Sequence, residues 1–166
     1  MKCKRCSAKA TVQLRSHNTA FCKECFVFFF QRNVERSIER EHMFTRAERG
    51  LVCVSGGKDS LALWDTLIAL GYQTEGLYLG LGIGDYSAAS QQKVEAFAAA
   101  HDLPIRIVRL EEEADGLAIP EAAFFTRRQP CAACGTFKRH HFDRAASDGG
   151  FAVVATGHNL DDEAAR

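Results

Sequence analysis

Four groups of reactive side chains punctuate the 166-residue chain. Cys3-x-x-Cys6 and Cys22-x-x-Cys25 are separated by 15 residues, many of them basic or small. So short a segment has almost no apolar core of its own, and four thiolates on one Zn²⁺ would supply the missing folding energy. A closed four-sulfur site leaves no open coordination position, so this zinc is expected to hold structure and do no catalysis. The second group, Ser55-Gly56-Gly57-Lys58-Asp59-Ser60, follows the apolar run Leu51–Val54 and precedes a helical pattern. Paired glycines let the backbone wrap round an anion, and the helix start offers unpaired N–H groups. Lys58 adds charge and Ser55 and Ser60 add hydroxyls, which makes the segment a phosphate cradle. It is not a Walker A loop, because Val52 stands where that motif needs Gly and Asp59 follows the Lys.

The third group is Pro130-Cys131-Ala132-Ala133-Cys134-Gly135-Thr136-Phe137-Lys138-Arg139. Thiols at a helix start ionise readily. By itself the pair is compatible with a redox disulfide, a persulfide carrier, half a zinc site or two ligands of an iron–sulfur cluster. The fourth is Thr156-Gly157-His158-Asn159-Leu160-Asp161-Asp162-Glu163, whose clustered carboxylates suit Mg²⁺ coordination or proton transfer beside a phosphate site. The same residues also make an ordinary Asn-capped helix start.

The elements that must position these groups follow from periodicity. Residues 26–49 read as a helix, with Phe26, Phe30, Val34 and Ile38 in one stripe and Arg32, Arg36 and Arg40 in another, partly relieved by Glu35 and Glu39. The run Phe28–Phe30 is expected to dock on the following domain or a partner subunit. Apolar runs at 51–54, 76–79, 105–108 and 151–155 read as strands, and helical patterns fall at about 60–70, 88–100 and 135–146. Strands alternating with helices imply a parallel α/β sheet. Residues 111–130, with Glu111-Glu112-Glu113, read as a mobile, irregular connection. Cys53 falls in a central strand and reads as a small buried hydrophobe. The organisation is thus a ribbon at 1–25, an Arg-striped helix at 26–49 and a nucleotide domain at 50–166.

Charge sharpens this division. The 21 Lys/Arg and 21 Asp/Glu cancel overall, yet residues 1–49 carry 11 basic against 5 acidic groups and the remainder 10 against 16. A basic front points to an anionic partner. Hydrophobic content of 46% suits a globular protein, and no apolar run approaches the roughly 18 residues of a membrane span. The first residues have no secretory pattern, so the cysteines are read in a reducing cytoplasm.

SGGKDS after an apolar strand resembles the PP-loop of ATP pyrophosphatases, a Rossmann-like class that cleaves ATP between the α and β phosphates. That resemblance implies pyrophosphate on Ser55–Ser60 and adenine beside Leu79. TGHNLDDEA is similar to the second signature of the tRNA-modifying branch, which implies ATP and metal handling by Gly157 and Asp162. The ribbon, SGGKDS, CxxCGxxKR and TGHNLDDEA, in this order, resemble the PP-loop tRNA 2-thiolation enzymes of the TtuA type, across essentially the whole chain. The family resemblance implies ATP-dependent sulfur transfer to C2 of a tRNA uridine. Its site would comprise Cys131 and Cys134 as ligands of a [4Fe–4S] cluster, with Lys138 beside it. It further implies a ubiquitin-like, thiocarboxylated sulfur carrier protein as partner and a homodimer. The family's third cluster cysteine and second zinc ribbon have no counterpart up to Arg166, so the chain reads as truncated, with an unpaired sheet edge. Two other readings stand beside this one. A PP-loop small-molecule ligase would leave the ribbon and CxxC idle, and a non-catalytic zinc-ribbon nucleic-acid binding fragment would lack saturable ATP affinity.

Overall fold

A computed structural model describes residues 1–112, 119–127 and 129–164, and divides the chain into two compact units, Met1–Met43 and Phe44–Arg166. The first is a ribbon. Strands β1 (Val12–Leu14) and β2 (Thr19–Phe21) pair antiparallel, joined through a helical turn at Arg15–His17 and Asn18 in the left-handed conformation (φ 43°). Helix α1 (Lys23–Arg40) starts directly at the second cysteine pair, with Cys22 as its N-cap. It stops well short of residue 49, which instead opens a strand. The expected apolar stripe is also corrected. Phe30 is exposed, whereas Phe26 and Phe29 pack on the buried cluster Cys3, Phe21, Cys22 and Cys25. Phe29 stacks on Phe21 at 5.0 Å within the ribbon, so it is not part of a docking run. Cys22 and Cys25 set the buried face, and Phe26 and Phe29 continue it one turn on.

The second unit is a parallel α/β layer. Its strands are β3 (Arg49–Val54), β4 (Gln73–Gly80), β5 (Ile105–Arg109) and β6 (Val153–Thr156), in spatial order β5-β4-β3-β6. Helix α2 (Lys58–Ala69) connects β3 to β4, and α3 (Gly84–Ala100) connects β4 to β5. The chain then returns through α4 (Ile119–Thr126) and α5 (Pro130–Gly149) to place β6 on the far side of β3, and ends in α6 (Leu160–Ala164). Helix α4 corrects the irregular connection expected at 111–130, and α5 begins five residues earlier than expected; Glu113 lies outside the described residues. Among the described residues no strand pairs the outer edge of β6.

Leu51, Val52, Cys53 and Val54 are almost fully buried, as a strand covered on both faces requires. Leu51 and Cys53 share one core with Leu77, Leu79, Ala145 and Ala146, with Phe142 packed against it. On the other face Trp64 is wholly buried against Gly76 and Phe97, its indole N–H donating to Thr74 Oγ1 at 3.1 Å. A Cβ on Gly76 would stand 2.3 Å from the Trp64 ring. Gly76→Ala is therefore expected to cost about 3 kcal/mol, the upper end for overpacking a rigid core. Urea unfolding should show the lowered midpoint with an unchanged m-value.

Candidate active site and metal centre

Sheet order decides where a ligand can sit. The chain moves outward from β3 through β4 to β5, then crosses back to β6, so the switch of direction falls between β3 and β6. Ligands of open parallel sheets bind beyond the carboxyl ends of the strands at that switch. Cys53 pairs with Thr156 in register, which sets the loop after β3 directly beside the loop after β6. Ser55–Ser60 is the first loop and Thr156–Glu163 the second.

The first loop is built from inside by Ser60. Its buried hydroxyl accepts from the Ser55 N–H at 3.2 Å and donates to the Gly57 carbonyl at 3.0 Å, while Gly57 N–H donates to Ser55 Oγ at 3.4 Å. Ser60 thus shapes the cradle with the hydroxyl that the sequence offered as a ligand donor. Gly56 is in the left-handed region at φ 74°, and a Cβ there would meet the Ser90 carbonyl oxygen at 2.6 Å. A Cβ on Gly157 would meet the Ser60 backbone at 2.6 Å. Gly157 thus lets the second loop touch the first, and Gly56 lets the first loop close on α3. Lys58 is largely exposed and its ammonium contacts both oxygens of Asp59, at 2.7 and 2.8 Å.

Between the loops lies a cleft of about 270 Å³. Ser55, Gly57, Asp59, Ser60, Leu79, Gly157, Asp162 and Lys138 all line it. Gly56 shapes its wall from outside the lining, and Lys58, Cys131 and Cys134 are also not among the lining residues. Sequence reasoning missed Tyr78, Tyr86, Ser90 and Phe142, and gave no role to His158, which also lines the cleft. The first three follow from one signal, since β4 ends at the same rim and α3 begins there; Tyr78 OH donates to the Ser87 carbonyl at 2.7 Å. Burial, with Tyr86 and Glu95 nearby, raises the Tyr78 pKa.

Asp162 has a local task as well. Its carboxylate accepts the Asn159 N–H at 2.9 Å, while Asn159 Oδ1 accepts the N–H groups of Asp161 and Asp162 at 2.9 and 3.2 Å. This reciprocal cap fixes the acid at the rim. The Glu163 side chain lies outside the described residues.

Helix α5 brings the third group to the same rim. Cys131 and Cys134 occupy its first turns, exposed and half-buried respectively. Lys138 and Phe142 follow Cys134 at four-residue intervals and both line the cleft, so the thiol lies one turn up the face that reaches it. Two thiols are fewer ligands than a [4Fe–4S] cluster needs, and among the described residues no further Cys, His, Asp or Glu groups with them. Cys53 lines the cleft but is buried, and burial, aided by Asp143, pushes its pKa up to about 12, as suits an inert thiol.

The ribbon cysteines are a different case. The sulfurs of Cys3, Cys6, Cys22 and Cys25 all lie within 4.8 Å of one another, with Cys6 and Cys22 at 3.6 Å. A tetrahedron with Zn–S bonds of ~2.3 Å has edges of roughly 3.8 Å, so the donor set fits zinc with little adjustment. The thiols are electrostatically at odds without a cation. Burial and the neighbouring Cys22 push Cys25 up to about 12, whereas burial on Cys3 is outweighed by N–H donors of Cys6, Cys22 and Arg5, which lower it to about 6.

The chain thus carries a four-cysteine ribbon and a parallel α/β sheet whose two motif loops meet at the switch point, the fold class expected from the PP-loop resemblance. Comparisons with known proteins narrow that class. Residues 2–27 match the family described as 2-thiouridine synthetase TtuA, N-terminal LIM domain. The chain is 50% identical over 165 residues to the tRNA-5-methyluridine(54) 2-sulfurtransferase of Thermus thermophilus, covering 99% of this chain and 51% of that protein. It is 34% identical over 169 residues to cytoplasmic tRNA 2-thiolation protein 1 of Drosophila ananassae, covering 98% and 49%. The fold matches the U34-tRNA thiolase NcsA from Methanococcus maripaludis, solved with its [4Fe–4S] cluster, at a TM-score of 0.85 and 24% identity over 98% of this chain and 54% of that one. The resemblance to TtuA-type tRNA 2-thiolation enzymes read from the motifs is borne out along the whole chain. The chain spans about half the length of the curated relatives it matches. No described helix is long and apolar enough to cross a membrane.

Proposed function

We propose that this chain carries the ribbon and ATP-binding part of an enzyme that transfers sulfur to C2 of a tRNA uridine, the T-loop 5-methyluridine being the expected target. The observation that carries this reading is the meeting of both signature loops in one cleft that also receives Lys138 from the helix bearing Cys131 and Cys134. An adenylating phosphate site beside a thiol pair supplies what activating an oxygen and then replacing it by sulfur requires.

The residues divide the work as follows. The N–H groups of Ser55, Gly56 and Gly57 and the start of α2 hold the departing pyrophosphate, with Leu79 beside the adenine. Lys58 exchanges its Asp59 partner for phosphate oxygens. The uridine C2 oxygen bonds to the α-phosphorus as the α–β phosphoanhydride breaks. Lys138 and Lys58 offset the negative charge that develops there. Hydrosulfide then bonds to C2 and AMP leaves with the original oxygen, so no net oxidation occurs. Asp162, with Asp59, would hold Mg²⁺, which supplies charge neutralisation on the phosphates. A [4Fe–4S] cluster on Cys131, Cys134 and further ligands would supply a docking point for the sulfide. The basic face of α1 meets tRNA phosphates, a thiocarboxylated ubiquitin-like protein delivers sulfur, and the enzyme works as a cytoplasmic homodimer with Zn²⁺ in each ribbon.

Asp162→Asn tests the assignment cleanly, because the amide oxygen can still accept from Asn159 N–H while the charge is gone. In a full-length enzyme carrying these residues, 2-thiouridine formation should fall about 1000-fold with tRNA binding intact, the scale of losing one electrostatic stabiliser of a transition state. Thiolation at the wild-type rate would sink the proposal. Saturable ATP binding by the chain itself excludes the ribbon-only reading.

A further inference from the structure

A second concave site lies wholly within the ribbon unit. It is a groove of about 510 Å³ whose lining includes Lys4, Arg5, Arg32 and Arg36 and no carboxylate. Glu35, just outside, contacts Arg32 at 2.7 Å and offsets one of the four cations. Two further features make this more than a basic surface. The Arg5 guanidinium lies 3.4 Å above the centre of the Phe28 ring. A guanidinium so close to a ring is held against it, and Arg5 is otherwise exposed. Thr19, also in the lining, is only 7% exposed, and its Oγ1 is the one buried side-chain polar atom among the described residues without a hydrogen-bond partner. Native proteins rarely leave a buried hydroxyl unsatisfied without a reason.

We propose that this groove seats a single unpaired nucleotide of an RNA loop. Guanidinium planes stack on bases, the remaining cations suit the flanking phosphates, and a hydroxyl that both donates and accepts reads a base edge or a ribose 2′-OH. A helical RNA stem would satisfy the cations but could not place a base on Arg5 or a polar edge against a buried Thr19. The inference rests on the RNA-modifying reading above, yet concerns a site with none of its ATP or thiol machinery.

The test is fluorescence anisotropy of the zinc-loaded full chain, without ATP, against a short RNA stem-loop and the blunt duplex of the same stem. Thr19→Val keeps the side-chain shape and loses only the hydroxyl, so the fold is not at risk. It should weaken stem-loop binding about tenfold and leave duplex binding unchanged. Arg36→Gln should weaken both RNAs and reduce the salt dependence by about one counterion. Equal binding of stem-loop by wild type and Thr19→Val, an equal loss on both RNAs, or no RNA binding by the wild type each overturns the proposal. Because no ATP is present, failure here leaves the Asp162 test standing, and failure there leaves this one.

Discussion

Cys25→Ser should release the zinc and unfold residues 1–43 while the sheet of the second unit stays folded. Beside the cysteines, the ribbon's apolar cluster holds Phe21, which is buried, and Leu14, Phe26 and Phe29, which are partly buried. A structural zinc contributes on the order of 10–16 kcal/mol of apparent binding energy, more than one buried and three partly buried apolar side chains provide. Hydrogen exchange should therefore show β1, β2 and the first turns of α1 losing protection, with β3 and β4 unchanged. Metal analysis should fall from one zinc per chain to none. A ribbon that stays protected without metal would show that the thiols are not its foundation.

The second large effect is expected at two glycines. Gly56→Ala and Gly157→Ala each drive a Cβ to 2.6 Å from rigid backbone, of Ser90 and Ser60 respectively. Neither neighbour is a flexible side-chain tip, so the loop itself must move. A displacement of about 1 Å in a positioning element costs about 100-fold in rate, so 2-thiouridine formation by an enzyme carrying either change should fall by about that factor, with weakened ATP binding seen by calorimetry. Gly50→Ala, at the opposite end of β3, is the control, since its Cβ would meet nothing nearer than Val153 Cγ1 at 3.4 Å. Comparable losses at all three positions would mean that close backbone approach at the rim is not what the cleft depends on.

Much of this was legible beforehand, because the four motifs are defined by residues close in sequence. The alternation of strands and helices placed both signature loops on one rim. That they are neighbours depended on β6 inserting beside β3, a long-range choice that no local pattern encodes. Helix α4 escaped because its eight residues, with Phe124 and Phe125 adjacent and both exposed, show no amphipathic period. The start of α5 was placed late, at Gly135, whereas Pro130, suited to a first helical turn, opens the helix. In α1 the hydrophobic period chose Phe30, whereas the cysteine geometry chose Phe29. The three-residue strands of the ribbon are too short for any period to show.

One helix joins the thiols to the cleft. Cys134, Lys138 and Phe142 share a face of α5, and Phe142 is anchored in the sheet's core. At 1.5 Å per residue the sulfur-bearing turn stands about 6 Å above the lysine and about 12 Å above the anchor. A rod of this kind acts as a gauge: the offset between where phosphate is released and where sulfur is presented is set by residue count and turn angle, independent of loop motion. For the function proposed above, substrate atoms would have to move across that fixed offset, and the flexibility linking the two half-reactions would belong to the RNA and the sulfur donor.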